Sequence, residues 1–97
     1  MSKPTRVFVH KANGYSTETY VSTKRDLSAL VGGTPVAMGK CTGNLAGLRF
    51  VVSYERNARF STQQDIANPR FPQFKGDVVL AFPQWEDLPF VHPQQRL

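Results

Sequence analysis

The chain has a single cysteine, Cys41, so no disulfide can close within it, and a reducing cytosol is the expected setting. Its two histidines, His10 and His92, stand far from that cysteine and from each other. Without ligand spacing they predict no zinc site, and no motif asks for another cofactor. No apolar run comes near the roughly 18 residues of a membrane span, so no membrane partner is expected. Met1-Ser2-Lys3-Pro4 leads straight into a strand pattern rather than into the apolar stretch of a leader peptide. Internal repeats and low-complexity segments are missing, and so are runs of like charge: Lys24-Arg25 is the one adjacent basic pair. These absences exclude disulfide scaffolds, zinc modules, membrane spans and polybasic tails.

What is present suits one small domain. The 97 residues leave no room for two cores. The boundaries expected are 1–97 for the domain, with 1–4 and 94–97 as flexible tails and 83–93 as a proline-rich strap. The formal net charge of +5 is uneven. Residues 1–49 hold seven cations against two acids, whereas residues 50–97 hold five of each. Such an imbalance suits either an anionic partner or simple solubility.

The hydropathy pattern predicts mostly strands. Arg6–His10 is a β-branched and aromatic run, Asn13-Gly14 is a hairpin signal in which both residues tolerate positive φ, and Tyr15–Val21 pairs back. Thr23-Lys24-Arg25-Asp26 has the form of a capping box, and Leu27, Leu30 and Val31 fall on one face of the short helix it starts. Gly32 suits a left-handed helix stop, and Pro35 places the next strand, Thr34–Gly39, at an edge. Leu48–Glu55 alternates as a strand with Leu48, Phe50, Val52 and Tyr54 toward the core. Arg56-Asn57 reads as a tight turn and Ala58–Thr62 as a fifth strand with Phe60 inward. Residues 63–75 are an irregular connection broken by Asn68-Pro69 and Phe71-Pro72. Val78–Phe82, apolar on both sides, is the candidate central strand, and Trp85, Leu88, Phe90 and Val91 strap over the sheet. The sum is an α+β domain: a small, mostly antiparallel sheet of five or six strands with one short helix packed on one face.

Leu30–Gly47, LVGGTPVAMGKCTGNLAG, superficially resembles a phosphate-binding loop. The spacing fails, because Gly33 to Gly39 encloses five residues where the motif needs four, and Cys41 stands where a hydroxyl should. The helix also precedes the glycines, so its negative end would face the phosphate. The stretch reads instead as helix stop, strand and turn. Cys41 has no nucleophile signature, and Asp65, Glu86 and Asp87 read as solvated carboxylates, so no enzyme is expected. Several aromatics sit beside cations: Arg6/Phe8, Arg49/Phe50, Arg59/Phe60 and Arg70/Phe71. With Arg49 and Arg59 on adjacent strands, a basic, aromatic sheet face would suit single-stranded nucleic acid or a nucleotide. Read conservatively, the phenylalanines are core and the arginines their solvent-side alternates.

DLSALVGGTPVAMG, followed by RFVVSYERNARFSTQQDIANPRFPQFKGDVVLAF, resembles a family of small uncharacterised proteins common on phages and other mobile elements. The shared pattern is a helix ending in Val-Gly-Gly, a strand, a strand–turn–strand around an acidic residue, an Asn-containing loop aligned here on Asn68, and a Gly-Asp-Val-Val-Leu strand. It covers residues 26–82. The resemblance implies a mobile-element origin and a compact α+β fold, and it implies no activity. Together these readings lead to a non-enzymatic accessory protein in the cytoplasm of a host bacterium. It would bind and inhibit or modulate a host macromolecule, a defence or transcription component for example. The expected contact residues are Arg6, Lys40, Arg49, Arg59, Trp85 and Phe90. The partner expected is a host protein. Nucleic acid is the alternative, and a homo-oligomeric virion component is a third arrangement.

Overall fold

The computed structural model describes residues 4–61 and 66–91. Thr62–Asp65 and His92–Leu97 lie outside them, and with them the expected roles of Asp65, His92 and the 94–97 tail. The first two strands, β1 (Thr5–His10) and β2 (Ser16–Val21), form an antiparallel hairpin. Its turn is tighter on one side than Asn-Gly suggested. Only Gly14 takes positive φ, 94°, while the Asn13 side chain accepts the Tyr15 N–H at 2.9 Å. The Gly14 N–H donates to Lys11 O and the Lys11 N–H to Tyr15 O, the pattern of a three-residue hairpin loop closed by a left-handed glycine.

Helix α1 (Lys24–Val31) begins as its letters predict. The Asp26 N–H donates to Thr23 Oγ1 at 3.1 Å, and the Asp26 carboxylate accepts the N–H groups of Thr23 and Ser22. It stops at left-handed Gly32, φ 76°, where the N–H groups of Gly32 and Gly33 both donate to Ser28 O. The chain then turns into edge strand β3 (Pro35–Lys40) and, after a loop with one 3-10 turn at Gly43–Leu45, into β4 (Arg49–Ser53). Gly33 is fixed by close approach: a Cβ there would collide with Ser53 Oγ and Glu55 Oε1.

The segment after β4 departs from expectation. Ser53 ends the strand and caps a single helical turn, α2 (Tyr54–Asn57), by accepting the Arg56 N–H at 3.3 Å. Tyr54 is therefore exposed rather than core. Residues 58–61 form no strand, and Phe60, expected inward, is 86% exposed. Apolar alternation over Arg59-Phe60-Ser61 satisfied the period of a strand, yet the capped turn before it had already carried the chain off the sheet.

Strand β5 (Val78–Ala81) is the last, and every residue in it is buried. Val7–His10 pair with it on one side and Arg49–Val51 on the other, giving one sheet in the order β2-β1-β5-β4-β3, all pairs antiparallel. A strand buried on both faces needs two covers. On one face Val7, Val9, Val51, Val79 and Ala81 meet Leu27 and Val31 of α1 and Trp85 and Leu88 of the strap. On the other, Val52, Val78 and Leu80 meet Cys41, Leu48 and Phe74, flanked by Phe8, Phe50 and Phe71.

That second cover is loop, and a buried loop must satisfy its own polar groups. Asn68, fully buried, does this. Its Nδ2 donates to His10 O at 2.8 Å and to Gly76 O at 3.0 Å, while its Oδ1 accepts the N–H groups of Arg70 and Phe71. Asn57 anchors the far end, donating from Nδ2 to Ser53 O and Lys75 O and accepting the Lys75 N–H. Asn68→Ala leaves four backbone groups without their side-chain partner, Gly76 O in a buried position, and is expected to cost roughly 2–4 kcal/mol. Urea unfolding followed by circular dichroism measures this. A loss below about 0.5 kcal/mol would show that the loop holds itself without the asparagine.

Candidate functional site

The most developed concavity lies between α1, β3 and the strap. It is formed by how the strap ends. After the 3-10 segment Pro83–Asp87, the chain crosses the start of α1, where the Lys24 N–H donates to Pro89 O at 2.8 Å and the Arg25 N–H to Phe90 O at 3.0 Å. With Thr23 and its backbone carbonyl taking the next two, the first four helix donors are all occupied. The helix N-terminus is therefore closed as an anion site. The crossing holds the Phe90 ring out of the core, 75% exposed, with Lys24 Nζ 4.8 Å from its centroid.

The resulting groove encloses about 810 Å³. Pro35 and Ala37 line its β3 side, Ser28, Lys24 and Arg25 its helix side, and Trp85, Glu86, Phe90 and Val91 the strap side. Trp85 is 5% exposed, and its indole Nε1 has no hydrogen-bond partner among the described residues. A buried donor without an acceptor costs roughly 1–3 kcal/mol. Neither Lys24 nor Arg25 forms an ion pair with a described residue. The groove thus combines an apolar lining that includes Trp85, two cations and the acid Glu86, while the unpaired Trp85 Nε1 itself is sealed from solvent.

Of the six contact residues expected, Trp85 and Phe90 belong to this groove and the four cations do not. Lys40 and Arg49 face each other in register at the end of β3 and β4, and Arg49 is half-buried, donating from Nη1 to Leu48 O. Arg6 lies on the opposite sheet face, 3.5 Å from Glu18. Arg59 follows α2, off the sheet, 5.6 Å from the Phe60 ring centroid. Arg49 and Arg59 are therefore not on adjacent strands, and the sheet face built on that pair is not formed. The cations that matter here are Lys24 and Arg25. They were visible as the one adjacent basic pair, but their neighbours Phe90 and Trp85 stand some sixty residues along the chain.

Two further groups have chemical potential that the structure redirects. Cys41 is buried in the second core, and burial pushes its thiol pKa up, Arg49 nearby opposing this only in part. That is the environment of a packing residue rather than a nucleophile. Glu55 accepts both the Thr34 hydroxyl and the Thr34 N–H at 2.7 Å, and these bonds, the hydroxyl first, hold its carboxyl below the ordinary 4.5. It ties the Val-Gly-Gly seam to α2. Among the described residues no group of three His, Cys, Asp or Glu side chains is placed to hold a metal, and no helix is long and apolar enough to cross a membrane. No protein-family model matches the chain, and neither does a curated protein or a solved structure.

Two outcomes follow. Cys41 should react with a thiol reagent such as dithionitrobenzoate only slowly in the native protein and rapidly in urea; equal rates would place it at the surface. Because the folded-state pKa of Glu55 lies below its unfolded value, its stabilisation is complete above about pH 4.5 and is lost as pH falls through the folded value. Glu55→Gln should therefore lower the melting temperature at pH 7, and the difference should shrink as pH falls below 4.5. A gap that stays constant as pH falls would show that the carboxylate is not its source.

Proposed function

We propose that this chain is a non-enzymatic accessory protein that works by gripping a protein partner in the groove between α1, β3 and the strap. The observation that carries this is the convergence of Lys24, Arg25, the exposed Phe90 ring and the buried, unpaired Trp85 indole on one apolar groove. The chemistry it favours is a peptide segment with an apolar side chain to cover the floor and a carboxylate to meet the two cations. Interfaces concentrate their energy in tryptophan, tyrosine and arginine, and this groove offers Trp85 and Arg25 together with the exposed Phe90 ring. The resemblance to mobile-element proteins supplies the setting: the cytoplasm of a host bacterium, with a host defence or transcription component as the macromolecule bound and modulated.

The test is affinity capture from bacterial lysate with the full chain, in parallel with a Lys24→Glu/Phe90→Ala variant. Glutamate in the first helical turn is favourable to the helix dipole, so the variant should stay folded. One protein should be retained near stoichiometry by the native chain and lost by the variant. Its addition in purified form should shift the emission of Trp85, the chain's one tryptophan. Identical retention by both chains, or a bound partner that leaves Trp85 emission unchanged, overturns the assignment of this groove.

A further inference from the structure

The opposite face of the sheet carries a second concavity, independent of the groove above. Two adjoining cavities share His10, Ser16 and Arg70. One, about 570 Å³, has an apolar floor of Phe8, Leu48, Leu80 and Phe82 and is edged by Glu18 and Asn44. The other, about 300 Å³, is small and polar, with Lys11 beside the three shared residues. We propose that this is a nucleotide site, with the base in the apolar cavity and the phosphate at the junction, against Arg70, His10 and Ser16.

The charges decide the orientation. Arg6 is held by Glu18 at 3.5 Å and Lys11 by Asp77 at 3.8 Å, so both are already neutralised in part. Arg70 has no ion-pair partner among the described residues; its guanidinium lies 6.0 Å from the Phe71 ring centroid. It is the cation left for an anion. Its backbone is fixed, because Asn68 Oδ1 accepts its N–H, and the exposed side chain extends from that anchor. His10 Nδ1 and Ser16 Oγ, 2.9 Å apart, stand across the junction from it as further polar partners. Burial and then the Arg70 charge lower the His10 pKa, both signs of an electropositive, partly desolvated corner.

The far end of the apolar cavity argues for a base rather than an alkyl chain. Glu18 and Asn44 edge it, and an alkyl tail would cover these groups without pairing them. A base presents donors and acceptors on its rim and apolar faces elsewhere. The Glu18 carboxylate accepts hydrogen bonds only; adenine offers it an exocyclic amino group with two N–H donors, whereas thymine offers one ring N–H flanked by two carbonyls that repel a carboxylate. The combined volume falls within the range of small-molecule sites.

The test is a titration of the isotope-labelled full chain, followed by amide NMR shifts, with deoxyadenosine monophosphate, deoxyadenosine, thymidine monophosphate, inorganic phosphate and an adenine tetranucleotide. Deoxyadenosine monophosphate should move the amides of His10, Ser16, Arg70 and Leu45–Leu48. It should bind about tenfold tighter than deoxyadenosine or phosphate alone, and tighter than thymidine monophosphate. Arg70→Gln, at an exposed side chain whose backbone bond to Asn68 is untouched, should remove that tenfold advantage and leave deoxyadenosine unaffected. Tighter binding of the tetranucleotide assigns the site to a nucleotide within a strand, and equal binding to a free nucleotide. Absence of shifts at millimolar concentration, shifts confined to Lys24–Ser28, or phosphate alone binding as well as the nucleotide would each overturn the proposal.

Discussion

A strand that is apolar on both sides must be covered on both sides, and β5 imposes that demand where the described residues hold one helix of useful length. Val78, Val79, Leu80 and Ala81 are all buried. α1 and the strap serve one face. The other is closed by residues 66–76, which run as loop between one isolated bridge, Ala67 to Lys75, and the sheet. Loops are poor covers because their backbone polar groups have no ladder to join. Asn68 resolves the conflict by acting as a substitute ladder, with both donors and both acceptor positions engaged. Remove that constraint and the placing of Phe71 and Phe74 on the sheet, and of Arg70 beside His10, rests on ring packing and on the Asn57 anchor alone.

Much of this frame was legible in the letters, because the cues were local. The capping box at Thr23 and Asp26, the stop at Gly32, the edge position of Pro35 and the doubly apolar run at Val78–Ala81 each depend on a few neighbouring residues. The Ala58–Thr62 prediction failed because a one-turn helix needs only Ser53 as a cap, and a single serine at a strand end carries little signal beside an alternating pattern. The expected contact residues divide in the same way. Trp85 and Phe90 could be placed on a strap from local composition. Whether Arg6 or Lys24 shares a surface with them depends on where the strap crosses the sheet, which no local pattern encodes. Arg70 and Phe71 were noticed as neighbours, but their partner His10 is brought in by β1, and only the fold joins them.

The two concavities differ in a way that follows from their covers. The helix-side groove is bounded by a regular element and a strap that bonds to the start of α1, and its charged groups are Lys24, Arg25 and Glu86. The loop-side groove is bounded in part by the loop that Asn68 pins, and its polar corner holds Arg70, whose backbone N–H Asn68 accepts, and Lys11, paired with Asp77. The first suits a segment of protein laid along it. The second suits one small molecule entering end-on. They share no lining residue, so occupation of one leaves the other available.

The strap's grip on the start of α1 also bears on the order in which the chain can fold. Lys24 and Arg25 find their backbone acceptors only in Pro89 and Phe90, and β1 finds its inner neighbour only in β5. The first helix and the first strand are thus completed by segments more than sixty residues further along the chain. Both closures span long loops, and forming such contacts is slow. Until then the apolar inner edge of the β1–β2 hairpin stays bare.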